Sequence, residues 1–506
     1  MSLFPKALNY SHIKSEVKEK ILFDRQFLIS SEKENFPDMI NLQLGKYFVH
    51  IGRKLSHSSI SDGKTKLLVL GSLYDYRHPS ASNEDILTSL RFDGKTEELL
   101  EDVSFLCGNY LLFLEKPDGI ILIPDMASSK EAYIDLNEDE ITIASSISLL
   151  SQVKNLKEVD SGTFISTFYS SPEFQSRRIQ VGNSTRFKGV VRARANHIFD
   201  FKSRQFQRFF PRHPISPDSL DNVSEKASLI LTGILKSISQ RGRMLLPITA
   251  GWDSRLLLAC ARGIQDEVIF YLLKHNSIPQ LSQDVVTSKK LFKRLKIPFQ
   301  LIEYSDHVPE EVRKSTRKKM DMPNEQSMAY IFNAWQKLFP SFISINGNFS
   351  EITRNEWGVT PKVNEKLLAA LAKYPDNAFC HSLYRDWLAQ NNEHFTKLGY
   401  QTLDMFYWEE IMANRIAQAY TEINLGIEMA SPFNCNALIR ILLSVPAEYR
   451  GKQYNILYKQ MISKLWPELL DVPINPGLKK TIIRIMQRIG VYDWYRNTIL
   501  NSKYSN

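Results

Sequence analysis

Little in this chain suits a disulfide scaffold, a membrane span or a fibre. Its 506 residues hold four cysteines, Cys107, Cys260, Cys380 and Cys435, all far apart. That spacing argues against a disulfide framework or a zinc site, and makes a reducing compartment the default. No apolar run approaches the roughly 18 residues of a membrane-crossing helix, and residues 1–9 carry no signal-peptide pattern. Neither charge sign dominates: 64 Lys+Arg against 55 Asp+Glu leaves +9, spread along the chain. This balance permits an anionic partner without demanding one. Repeats and low-complexity blocks are also missing. The expectation is a soluble, cytoplasmic protein.

What is present suits a sizeable core. Hydrophobic residues make up 43% and charged residues 24%, both ordinary for globular chains. The length fits two or three domains of about 100–200 residues each. Residues 1–40 are mixed and charged, including the run IKSEVKEKILFDR, which suits a surface helix. From about Tyr47 to Gln180 the pattern is short and strand-like: KYFVHIG, KLLVLGSLYDY, GNYLLFLE, GIILIP, AYIDL and EITIASS. The KPDGI stretch predicts a hairpin with Asp118–Gly119 at its tip. Three prolines within residues 205–220 mark a linker. Beyond it, strands (RMLLPITAG, EVIFYLL, FQLIEY, SFISIN) alternate with helical spacings, including SRLLLACARG, QDVVTSKKLFKRL and EQSMAYIFNAWQKLF. Such alternation predicts a parallel sheet covered by helices, followed by a mostly helical remainder from about Lys362.

The first of those strands leads into TAGWDS, residues 249–254, at the mouth of a helix. Ligands of open parallel sheets bind beyond the carboxyl ends of the strands, and a helix N-terminus there favours phosphate. Small Ala250 and Gly251 let backbone approach an anion, and Thr249 and Ser254 add hydroxyls. Asp253 repels phosphate directly, so its chemical use is to hold Mg2+ bridging phosphate oxygens. The same Asp253 and Ser254 equally suit plain helix capping. A second strand leads into SINGNFSEITRNEW, residues 344–357, again with a glycine, Gly347, and then an acid, Glu351. Two carboxylates at neighbouring strand ends are what a metal–phosphate site needs.

These stretches resemble asparagine synthetase and its relatives, among them the β-lactam and carbapenam synthetases and the lasso-peptide cyclases. The family's SGGxDS loop is matched by Thr249-Ala250-Gly251-Trp252-Asp253-Ser254, and its SGxGADE segment by Asn346–Glu351. ExRxPFLD is echoed by residues 428–435, DPLGxKPLYY by DMASSKEAYI from Asp125, and ASExKALL by ASSISLL from Ala144. The likeness runs in order over roughly residues 45–477. It implies an α/β chain: a degenerate Ntn-hydrolase-like αββα sandwich, then a Rossmann-like ATP-pyrophosphatase domain with a helical C-terminal part. The expected boundaries are an extension at 1–40, an inactive glutaminase-like domain at 41–204, a linker at 205–225 and the synthetase-like domain at 226–506. The implied activity is ATP- and Mg2+-dependent amide formation through adenylation, with release of pyrophosphate and AMP. Asp253 and Glu351 would be catalytic and metal-binding, while Thr249, Ala250, Gly251, Asp253, Ser254, Lys274 and Gly347 would line the ATP site.

Two departures matter. Glutaminase domains of this kind use an N-terminal cysteine, whereas this chain begins Met-Ser-Leu-Phe about forty residues before the first matching strand, so glutamine hydrolysis is not expected. The family's catalytic lysine in RxKxG falls on Asn475, with Lys479 and Lys480 a few residues on as substitutes or as a solvated helix start. Where ring-forming relatives carry a catalytic tyrosine, Asn348 stands.

Other residues keep two readings each. Arg354 suits pyrophosphate or a surface salt bridge; Lys274 and His275 suit nucleotide or an ordinary loop; Ser282 and Asp284 suit ATP or an N-cap. Glu409 or Glu410 suits a base in the acceptor pocket or an apolar helix core. The basic amphipathic tail LKKTIIRIMQRIGVYDWYRNTIL suits a membrane surface, an anionic partner or its own domain. Partners expected are a small-molecule or peptide substrate with a carboxylate and an amine acceptor, and a second copy in a homodimer; nucleic acid is not expected. A non-catalytic nucleotide- or partner-binding relative is the alternative.

Overall fold

A computed structural model describes residues 25–36, 38–310, 342–358, 362–451 and 454–476, with residues 313, 314, 317, 320 and 329 besides. The expected helix at 325–339, Lys479, Lys480 and the basic tail lie outside these residues, apart from the isolated 329.

The first half is built on two six-stranded antiparallel sheets. One holds β1 (Phe27–Ser30), β2 (Met39–Leu44), β3 (Tyr47–Gly52), β8 (Tyr133–Asp135), β9 (Thr142–Ala144) and β10 (Val190–Arg192). The other holds β4 (His57–Ser61), β5 (Lys66–Asp75), β6 (Leu106–Lys116), β7 (Gly119–Pro124), β11 (His197–Asp200) and β12 (Gln205–Arg208). Alternation decides how the layers stack, because successive strand side chains face opposite ways. Leu68, Leu70, Leu111 and Phe113 join Phe27, Ile29, Val49 and Ile143 in a core between the sheets. Their neighbours Leu67, Val69, Leu112 and Leu114 face the other way, onto the helices Asn83–Ser89, Thr96–Ser104 and Leu220–Ser239. On the far side, Leu28 and Ala144 pack on the helix Ile147–Val153. The result is the expected αββα layering, and it explains why β5 and β6 read as continuous apolar runs. The KPDGI hairpin forms, but its tip is Pro117–Asp118 rather than Asp118–Gly119, because Gly119 pairs with Lys116.

Two boundaries differ from expectation. Phe27–Ser30, inside the expected 1–40 extension, is an interior strand paired with β3 and β9, its four residues all buried. Gln205–Arg208, inside the expected 205–225 linker, is the edge strand β12 paired with β11, and the helix Leu220–Ser239 begins before the linker's end. The prolines that mark the linker, Pro211, Pro214 and Pro217, all follow this strand, whose polar alternation suits an edge position.

The second half carries a five-stranded parallel sheet in the order β15-β14-β13-β16-β17. Its strands are β13 (Met244–Pro247), β14 (Val268–His275), β15 (Gln300–Tyr304), β16 (Ile343–Ile345) and β17 (Glu428–Ala430). From β13 the chain steps outward to β14 and β15, then returns to place β16 on the other side of β13. The order therefore reverses between β13 and β16, where open α/β sheets hold their ligands.

The two halves are joined through buried polar groups. Asp125 accepts from the amides of Ala127, Ser129 and Lys130 and from Asn434 Nδ2 at 3.0 Å. Trp408 Nε1 donates to the Met126 carbonyl at 3.0 Å, and Arg192 bonds Glu131 and Asn414. No helix among the described residues is long and apolar enough to cross a membrane.

Candidate active site

β13 leads through Ile248 into the loop Thr249-Ala250-Gly251 before the helix Trp252–Cys260. Gly251 is the N-cap and no side chain caps this helix, so the capping role read for Asp253 and Ser254 is not the one they play. Ser254 instead folds back on the loop: its Oγ lies 3.1 Å from both the Thr249 amide and Thr249 Oγ1. The Gly251 amide donates to Thr249 Oγ1 at 3.2 Å, and the Ala250 amide to Asp284 Oδ1 at 2.8 Å. The loop's own N–H groups, expected to cradle phosphate, are thus engaged by side chains. By position, the amides of Trp252, Asp253 and Ser254 are the ones left without a partner one turn back. Asp253 lies in the first helical turn, where a negative charge complements the dipole.

The loop after β16 brings Glu351 to the same place. Gly347 sits against Asp253: a Cβ added there would lie 2.6 Å from Asp253 Cβ, so only glycine admits this approach. Phe349 takes a left-handed backbone (φ 73°), a strained conformation for a bulky residue, and its ring is fully buried against Tyr420. That turn opens the short helix Ser350–Thr353 and presents Glu351 and Arg354 side by side. Arg354 then bridges the two acids, with Nη1 3.1 Å from Asp253 Oδ2 and Nη2 3.1 Å from Glu351 Oε1. The second oxygens, Asp253 Oδ1 and Glu351 Oε2, are shielded from water and have no hydrogen-bond partner. Burial pushes the Glu351 carboxyl up to about 7, against the pull of Arg354 and with the push of Asp253. Asn346 and Ser350 on the same turn add an orphaned Nδ2 and Oγ. Asn346 Oδ1 accepts from Tyr420 at 2.6 Å.

The remaining sequence-derived residues scatter. Lys274, 4% exposed in its side chain, pairs with Glu303 at 3.3 Å. His275 sits 3.0 Å from Asp306, and Ser282 caps the helix Gln283–Leu295 by position without a side-chain bond. Asp284 supports the loop by holding Ala250, a role sequence reading missed. The Asn348 carbonyl accepts from Ser431 at 2.6 Å. Asn475 does reach the site: its amide donates to the Ala250 carbonyl at 2.7 Å. Arg255, fully buried, donates through Nη1 to the carbonyls of Leu469 and Val472, fixing the segment that delivers Asn475. The acceptor-base reading of Glu409 and Glu410 is corrected. Both lie on the π-helix Tyr407–Ile416, where Glu409 accepts from Arg208, Asn196 and Trp387 and Glu410 accepts the Gly182 amide at 3.1 Å. They face the first half of the chain because its Arg208 and Asn196 need buried acceptors.

No family model matches this sequence, and no curated protein matches it. Solved structures share a distant likeness, three of them as follows. Glutamine phosphoribosylpyrophosphate amidotransferase from B. subtilis, complexed with ADP and GMP, is 10% identical over 66% of this chain and 72% of its own, with a TM-score of 0.24. Glutamine-dependent NAD+ synthetase from Acinetobacter baumannii, in complex with ADP, is 14% identical over 41% of this chain and 46% of its own, with a TM-score of 0.20. The allosteric regulatory enzyme of purine biosynthesis is 10% identical over 60% and 74%, with a TM-score of 0.24. Similarity at this level does not place the chain in a family.

Among the described residues no three or more His, Cys, Asp or Glu gather as metal ligands. Mg2+ nonetheless needs only one or two carboxylates when phosphate oxygens and water complete its shell. Asp253 and Glu351 fit that demand, since each keeps one oxygen without a partner.

Proposed function

We propose that this chain is an ATP- and Mg2+-dependent amide-forming enzyme without glutaminase activity of its own. The observation that carries the reading is the convergence of Asp253 and Glu351 where the strand order reverses, each with an unsatisfied oxygen. ATP would bind with its phosphates toward the N-terminus of the helix Trp252–Cys260, where backbone dipoles favour anions. Asp253 and Glu351 would hold the divalent cation, which when bound neutralises charge building on the departing pyrophosphate. A carboxylate or amide oxygen of the substrate attacks the α-phosphorus as the bond to pyrophosphate breaks. An amine, from the same substrate or a second molecule, then attacks the activated carbon and expels AMP, a better leaving group than hydroxide. Asn475, tied to the loop through Ala250, would face the acyl-adenylate in place of a lysine; Lys479 remains a proposed catalytic residue.

Absence of glutaminase chemistry is supported by the thiols. Burial pushes Cys107 well above its usual range, Cys260 and Cys380 up to about 12 and Cys435 up to about 11, the wrong direction for a nucleophile. Arg25 and Gln26 precede β1. The first half then serves as a buttress for the π-helix and for residues 431–435.

The test is ATP–pyrophosphate exchange, screened with candidate substrates bearing a carboxylate and an amine. Asp253→Ala should abolish exchange while the circular dichroism spectrum is kept; undiminished exchange sinks the assignment. A second reading, a non-catalytic nucleotide binder, is favoured by the prior engagement of the Thr249, Ala250 and Gly251 amides. Calorimetry with Mg-ATP and an exchange assay separate the two: binding without exchange under every substrate supports the second.

A further inference from the structure

Arg354 holds the two acids in an unusual way. Its fork spends one nitrogen on Asp253 Oδ2 and the other on Glu351 Oε1, both at 3.1 Å, so each carboxylate is gripped by one oxygen only. The grip is fixed from below: the Arg354 amide donates to the Glu351 carbonyl at 3.2 Å, and its side chain is only 13% exposed. Asp253 reaches the fork from the other strand end because Gly347 lets its Cβ approach. Without a cation between them, two carboxylates held this close would repel and splay apart. Glu356 adds a third acid to the neighbourhood. Each gripped acid has an oxygen to spare, and both spare oxygens are buried and unpartnered.

We infer that Arg354 is the positioning residue of the divalent-cation site: it clamps Asp253 and Glu351 side by side by one oxygen each, so that the other oxygen of each is offered to the cation. The inference rests on the reading of these two acids proposed above. Groups that hydrogen-bond a metal's carboxylate ligands orient them and tune their affinity. Arginine suits the task because its planar fork reaches two acceptors at once, whereas a lysine ammonium is a single point charge. The opposite role, a stand-in cation that must leave before a metal enters, predicts the opposite sign.

Mn2+ binding to the nucleotide-free full chain, followed by the electron paramagnetic signal of free Mn2+, decides between them. Arg354→Met should weaken Mn2+ binding by about tenfold or more, the scale seen when such supporting groups are removed. Arg354→Lys should recover part of that loss, and it serves alone should the methionine variant fail to fold. Asp253→Asn should abolish binding. Mn2+ bound as tightly or more tightly by Arg354→Met, with Asp253→Asn still inactive in binding, overturns the positioning role and leaves the reading of the acids intact. If no form binds Mn2+, with ATP present or absent, that reading falls and the role of Arg354 falls with it.

Discussion

Two acid–arginine clusters, one buried on the π-helix and one half-buried at the strand ends, differ in how fully their acids are satisfied. Glu409 has both oxygens filled: Arg208 reaches each of them, Asn196 adds a bond at 3.1 Å and Trp387 another at 3.2 Å. Burial would raise its carboxyl, but Arg208 together with His197 and Asn196 offsets that and holds it below the usual range. Asp253 and Glu351 share one arginine, keep an unsatisfied oxygen each, and burial carries Glu351 up to about 7. A saturated pair fixes structure; a pair with orphaned oxygens stores unmet demand that a ligand can answer.

The comparison can be broken in four places. Arg208→Met leaves Glu409 buried without its cation and should cost about 3–5 kcal/mol in urea denaturation; a cost below 1 kcal/mol would erase the distinction. Asp253→Ala should lower ATP–pyrophosphate exchange by about 100-fold or more, the scale of a lost electrostatic group in an active site, with little change in the urea midpoint. Gly347→Ala forces a methyl against Asp253 and should destabilise by about 1–3 kcal/mol while weakening Mn2+ binding. The smallest effect is in pH. Glu351, raised from 4.5 to about 7, leaves the folded state binding the extra proton between those values. Its contribution is present below pH 4.5 and is lost as pH rises toward 7, with a slope of at most about 1.4 kcal/mol per pH unit. Glu409 is lowered, so its contribution is present above the unfolded value and lost as pH falls. Relative to the unmodified chain, Glu351→Gln should therefore gain in urea midpoint as pH rises from 4.5 to 7, whereas the Glu409→Gln difference should stay flat over that range and change only as pH falls below 4.5.

The sequence exposed one cluster and hid the other for physical reasons. Asp253 and Glu351 stand beside glycines at strand ends, a local signal tied to the general rule that ligands bind beyond those ends. Glu409 sits among aromatics at helical spacing, and its partners Arg208 and Asn196 are some 200 residues away, so nothing local betrayed a saturated pair. Arg354 was visible but ambiguous, because a three-residue spacing does not say which second acid the fork will meet. Four of the five parallel strands were legible from their apolar runs; three-residue β17, four-residue β1 and polar β12 were not.

Arg255 is a buried cation with no acidic partner among the described residues. Burial draws its guanidinium down to about 10, and Nη1 spends itself on the carbonyls of Leu469 and Val472. It thus rivets the helix that carries Asp253 to the segment that carries Asn475, and Asn475 closes the circuit on Ala250. Loop, helix and C-terminal arm form a closed mechanical ring around the proposed phosphate seat.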